Sequence, residues 1–214
     1  MKICKLFFRH VFHLLIVIGV SSASAGSYED FFAALERDDP KVVTELLGRG
    51  FDPNTRNPAA QPALTRAIQV ESMRVVRVLL GHPQTEIDVV NEAGETPLMM
   101  AALKGRLDLA RQLLDAGAKV HRDGWAPIHY AATGPEPKIV ALLLDRGAPV
   151  DAVSPTKRTA LMMAARYGPE EGVQLLLARH ADARRRNELG QHAGDFARAS
   201  GRERLAAQLD ALAR

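Results

Sequence analysis

Five histidines, two methionine pairs, a triple arginine and one tryptophan are the side chains with the most chemistry in reach. The histidines beyond residue 25 are His82, His121, His129, His180 and His192. None has the short paired spacing of a zinc site. His129 has the chemistry of a general base, but no nucleophile or paired acid accompanies it at a recognisable spacing. Met99-Met100 and Met162-Met163 offer thioether sulfurs to a soft metal such as Cu(I). Adjacent side chains diverge around a helix, however, and methionine fills irregular core gaps well, so the pairs read as core. Gly134, flanked by Pro135 and Pro137, makes a stiff turn and not a phosphate cradle. Arg184-Arg185-Arg186 suits an acidic partner or a phosphate, against the simpler reading of a solvated loop. These residues predict no enzyme, no cofactor and no metal site; copper handling by the Met pairs is the alternative.

The elements that must position these side chains recur. An Ala-rich helix–turn–helix pattern returns about every 33 residues from Tyr28 onward. Its clearest copy runs from Gly94 to Gly105 and then through Leu113-Leu114-Asp115-Ala116-Gly117-Ala118. Thr96 is suited to cap the first helix and Pro97 to occupy its first position. Ala101 and Ala102 let neighbouring helices approach. Gly105 suits the left-handed turn that ends the helix. Leu107, Leu109, Ala110, Leu113 and Leu114 give the second helix an apolar face. The chain then extends through Lys119 and Val120 toward a hairpin-like finger.

On these residues the chain resembles the ankyrin-repeat family, whose pattern is roughly G-x-T-P-L-H-x-A-A-x-x-G followed by V-V-x-L-L-L-x-x-G-A-D-V-N. Six units fit, at approximately 28–55, 56–90, 91–120, 121–153, 154–186 and 187–214, within one repeat domain over 26–214. The resemblance implies an all-α solenoid of helix–turn–helix repeats with short β-hairpin-like fingers. It implies that His129, the one residue matching the family's histidine, braces turns. Met99 and Met162 stand in its place in units three and five. His180 replaces the usual helix-ending glycine. The linker from unit three to unit four is about three residues short, so its finger should be reshaped. Arg198, Arg202 and Arg204 make unit six a polar terminal cap.

In the family, finger tips and exposed first-helix positions line a concave binding face. Carried over, this gives Glu95, Lys104, Arg122, Asp123, Trp125, Arg158, Arg166, Tyr167 and Glu188 as candidate partner-binding residues, with neighbours such as Leu103 and Thr133 in the same stripe. Trp125, Tyr167, Arg158 and Arg166 would anchor the contact, because Trp, Tyr and Arg are enriched at hot spots. The expected function is therefore a monomeric protein-binding module whose partner is another protein, with no nucleic acid and no membrane. Family resemblance offers support of a neighbouring periplasmic enzyme, or neutralisation of a toxin, as its task.

The first 25 residues read as an export signal. Lys2, Lys5 and Arg9 precede an apolar run from Val11 to Val20, and Ala23-Ser24-Ala25 is a small-x-small cleavage site. The run is half the roughly 20 residues a membrane span needs. Cleavage after Ala25 would remove Cys4, the only cysteine, and leave 25 basic and 25 acidic residues. A balanced chain gives no electrostatic footprint for nucleic acid. The charge is uneven, with residues 26–151 at net −4 and 152–214 at net +4. An exported bacterial ankyrin-repeat protein in the periplasm is the expectation; secretion onward, as an effector delivered to a host cell, is the other destination.

Overall fold

In the computed structural model, residues 26–214 are described. The expected export segment and Cys4 lie outside them. The described residues are helices joined by turns, and no strand forms among them beyond a single antiparallel bridge between Arg56 and Pro62. Among the same residues no helix is long and apolar enough to cross a membrane.

The residues divide into two compact units, one up to Thr85 and one from Glu86 to Arg214. In the first, residues 26–36 are helical (α1). They are followed by α2 (Pro40–Gly48), α3 (Ala63–Gln69) and α4 (Met73–Leu80). Its core is Phe31, Leu35, Val43, Leu64, Ile68, Val75 and Leu79. Helix α4 starts at Ser72, whose hydroxyl does not cap it; it donates instead to the Leu35 carbonyl at 2.6 Å. The cap comes from 36 residues upstream. Asp38 Oδ1 accepts the Arg74 and Val75 backbone N–H groups, both at 2.9 Å, and Oδ2 meets the Arg74 guanidinium at 3.0 Å. Burial pushes the Asp38 carboxyl up, but these hydrogen bonds outweigh it and hold it below the usual carboxylate range.

The second unit holds four repeats: α5 (Pro97–Leu103) with α6 (Leu107–Asp115), α7 (Pro127–Thr133) with α8 (Pro137–Asp145), α9 (Ala160–Tyr167) with α10 (Glu170–Ala178), and α11 (Ala193–Arg198) with α12 (Glu203–Leu212). First helices α5, α7, α9 and α11 pack side by side, and α6, α8 and α10 pack behind them. Alanines make the close packing possible: Ala101, Ala131, Ala164 and Ala197 are each fully or almost fully buried. The four methionines are core residues as expected, none more than 8% exposed. Met99 does more than fill space. Thr96 accepts the Met99 N–H at 3.2 Å, and the Thr96 N–H points back at the Met99 sulfur at 3.3 Å, a reciprocal cap with sulfur in the family histidine's place.

The junction between repeats is tighter than the pattern suggested. A Cβ on Gly134 would lie 2.5 Å from the Ala102 carbonyl oxygen, and one on Gly168 would lie 2.2 Å from that of Ala132. Each glycine therefore sits directly against the end of the preceding first helix. In the last repeat an arginine does this work. Arg202 was expected on the cap's polar surface; it is half-buried, and its guanidinium donates to the carbonyls of Ala164, Ala165 and Gly168 at 3.1, 3.1 and 2.9 Å. At this end of α9 the Ala164 carbonyl already accepts the Gly168 N–H at 3.0 Å, while Pro169 offers the Ala165 carbonyl no N–H, so the helix end draws the side chain inward. Exposed ion pairs link successive second helices, with Arg146 on Asp115 and Arg179 on Asp145, both at 2.8 Å. Each is worth at most about 1 kcal/mol.

Candidate protein-binding surface

The fingers are hydrogen-bonded turns. In residues 91–95 the Asn91 N–H donates to the Glu95 carbonyl, Gly94 N–H to the Asn91 carbonyl, and Glu95 N–H to the Asn91 side chain, at 3.1, 2.9 and 2.9 Å. Residues 57–61, 154–158 and 187–191 repeat the arrangement around Asn57, Ser154 and Asn187. The left-handed position is Gly94 or Gly190 in two of them, but Ala60 (φ 53°) and Lys157 (φ 56°) in the others. Such fingers place their last residue immediately before the cap of the first helix.

The finger of the fourth repeat is built differently, as its short linker required. His121 takes the pivot position, and its Nδ1 is buried with no hydrogen-bond partner. Ala126 stands where a threonine caps α5 and α9. His129 supplies the missing bonds. Its Nδ1 accepts the Ala126 N–H at 3.1 Å, and its Nε2–H is shared between the carbonyls of Ala152 (3.0 Å) and Arg158 (3.1 Å). Burial drives the His129 pKa below the ordinary imidazole value, against the bonds to the two carbonyls, which favour the proton. The neutral ring thus joins its own finger to the next, the bracing role the resemblance implied.

With the fingers fixed, the finger-end residues of the second unit form a row: Glu95, Trp125, Arg158, Gln191. Five residues further on, the first helices carry Met100, Tyr130, Met163 and Phe196; eight further on, Leu103, Thr133, Arg166 and Ala199. Trp125 is half-buried. Its ring stands edge-on to His129 at 5.4 Å and to Tyr130 at 6.4 Å between centroids. Together with Leu103, Thr133 and Met163 these rings line a hollow of about 200 Å³ with predominantly apolar walls. Tyr130 donates its hydroxyl to Glu95 Oε1 at 3.1 Å, while Asn91 holds Oε2 at 2.8 Å. Burial first, and then the Glu95 charge and hydrogen bond, push the Tyr130 pKa up to about 12, so it remains a phenol donor at physiological pH.

The structure gathers some of the candidate residues and separates others. Trp125 and Glu95 meet around Tyr130. Arg158 lays its guanidinium 5.7 Å from the Phe196 ring centroid, and its Nε is buried without a partner. Arg166, one helical turn beyond Met163 on α9, stands 5.2 Å over the Tyr167 ring, and Tyr167 is 53% exposed. Arg122 donates to the Gly94 carbonyl at 2.7 Å and so ties two fingers together. Asp123 and Glu188 are exposed finger residues, and Lys104 closes α5 at its C-terminal end. In the arginine run, Arg184 is paired with Asp182 at 2.9 Å and Arg186 donates to the Gly190 carbonyl at 2.7 Å. Sequence reasoning missed Tyr130; the five-residue step from each finger end to its helix was the signal that could have found it.

A family model for ankyrin repeats in three copies matches residues 31–123 and 120–187. Over 189 residues the chain is 32% identical to Protein glp-1 of Caenorhabditis elegans, covering 81% of this chain and 15% of that protein. Over 177 residues it is 30% identical to Tyrosine-protein kinase Shark of Drosophila melanogaster, covering 80% and 19%. It is 41% identical over 159 residues to the Ankyrin repeat and KH domain-containing protein mask-1 of Caenorhabditis elegans, covering 66% and 6%. The chain thus spans less than a fifth of each of these relatives.

Proposed function

The chain belongs to the ankyrin-repeat family, and from that premise we propose that it is a non-enzymatic module which holds another protein against the first helices and fingers of its second unit. Ankyrin repeats are protein-interaction modules, and the observation that carries the finer reading is the hollow under Trp125. A half-buried tryptophan beside apolar walls is the arrangement in which a few residues carry most of the binding energy. The export-signal layout of residues 1–25 supports a periplasmic setting, where the bound protein would be an enzyme the module supports or a toxin it neutralises.

In-cell crosslinking of the tagged protein, read by mass spectrometry with Trp125→Ala in parallel, tests this. One partner, captured by the parent and lost in the variant, is the expected result. A partner captured equally by both would remove the hollow from the contact.

A further inference from the structure

Resting on that reading, the geometry points to the chemistry of the partner segment: one bulky apolar side chain enters the hollow, and a carboxylate beside it lies toward Arg158 and Arg166. Size is the first argument. An engineered cavity of roughly 150 Å³ takes a benzene ring, whereas drug-sized ligands occupy about 300–1,000 Å³. A hollow of about 200 Å³ therefore suits one ring or branched aliphatic group delivered on a chain.

Charge is the second. The hollow sits between finger ends of opposite charge. On its N-terminal side the finger-end row offers Glu95, whose two oxygens already accept from Tyr130 and Asn91. On its C-terminal side the same row offers Arg158, and the helix row offers Arg166. The Arg158 backbone is fixed to the floor of the hollow through the bond from His129 Nε2, and its guanidinium lies over the Phe196 ring, 5.7 Å from the centroid, with Nε unpartnered. Arg166 is three residues from Met163, hence on the same face of α9. Neither guanidinium has a carboxylate of this chain within ion-pair distance among the described residues. A segment with its acid toward Arg158 and Arg166 is attracted; the reversed segment meets Glu95 with like charge. The surface is thus polar along the repeat direction and fixes the orientation of what it binds.

The test is selection of a random dodecapeptide display library on the immobilised full chain, followed by titration of the leading synthetic peptide. We expect recovered peptides to pair a Trp, Phe, Leu or Met with an Asp or Glu within about three residues. Affinity of that peptide should fall at least tenfold with Trp125→Ala and severalfold with Arg166→Glu. Changing the peptide's acid to Lys should weaken binding to the parent and restore binding to Arg166→Glu. Arg158→Met, which keeps the packing on Phe196 but removes the charge, should cost a similar factor. Peptides that depend on Trp125 but show no acidic preference, or an acid-to-Lys change that costs the same against parent and Arg166→Glu, would sink the charge assignment and leave the binding module standing. Peptides indifferent to Trp125 would sink both. Self-association lost in Trp125→Ala would give the hollow to a second copy and overturn the assignment.

Discussion

His129 braces the fourth repeat through its ring nitrogens. It satisfies one backbone donor and two acceptors in a buried place. It does so only as the neutral ring, because an imidazolium has no acceptor for the Ala126 N–H. In the unfolded chain the group titrates near 6.5; in the folded protein burial holds it lower. Below about 6.5 the unfolded chain takes up a proton that the folded one refuses. The stabilisation is therefore complete above that pH and is lost as pH falls toward the folded value. The urea midpoint should drop between pH 7.5 and pH 5. In His129→Gln the unfolding free energy should start lower, by about 2 kcal/mol for the groups left unpaired, and the midpoint's drop over the same range should be smaller. Equal drops in the two proteins would show that other groups carry the pH dependence.

At the scale of elements, the glycines separate two kinds of constraint. Gly168 has an ordinary backbone (φ −85°), but a Cβ there would sit 2.2 Å from the Ala132 oxygen. Gly147 is the converse, with φ +91° and open space around it. Gly168→Ala must push two helices apart and should cost on the order of 3 kcal/mol. Gly147→Ala bears only the left-handed strain, about 1 kcal/mol. Thermal melts of the two variants give the order, and a milder effect at Gly168 would contradict the close approach. The difference also marks what the sequence could tell. Helix positions, the Thr96 cap and the left-handed turn at Gly105 were legible because their causes lie within a few residues. The Asp38 cap of α4 and the Arg202 closure of α9 were not, since each links residues more than 30 apart and resembles a surface charge in the string. Trp125 and Arg158 were found as candidates by type. Tyr130 was hidden because it stands beside the bracing His129 in a stretch that the pattern explains as core.

Across the second unit, each first helix touches the ones before and after it, so a local fault should stay local. Hydrogen exchange on Gly168→Ala should quicken first in α7, α9 and α10 and least in α6; uniform acceleration over all four repeats would mean that the unit unfolds as a single block. Two first helices are closed at their C-terminal ends by residues that come later in the chain. The end of α1 is closed by Ser72, 37 residues later, and that of α9 by Arg202, 38 residues after Ala164. A polypeptide is made from its N-terminus. At roughly 5–20 residues per second of synthesis, each of these helices therefore exists for a few seconds before the residue that closes it has been added. During that interval its terminal carbonyls and apolar face are open to whatever is nearby. The nascent chain thus carries a succession of unfinished ends, each completed by the repeat behind it, and a holding chaperone would be needed most at the growing edge.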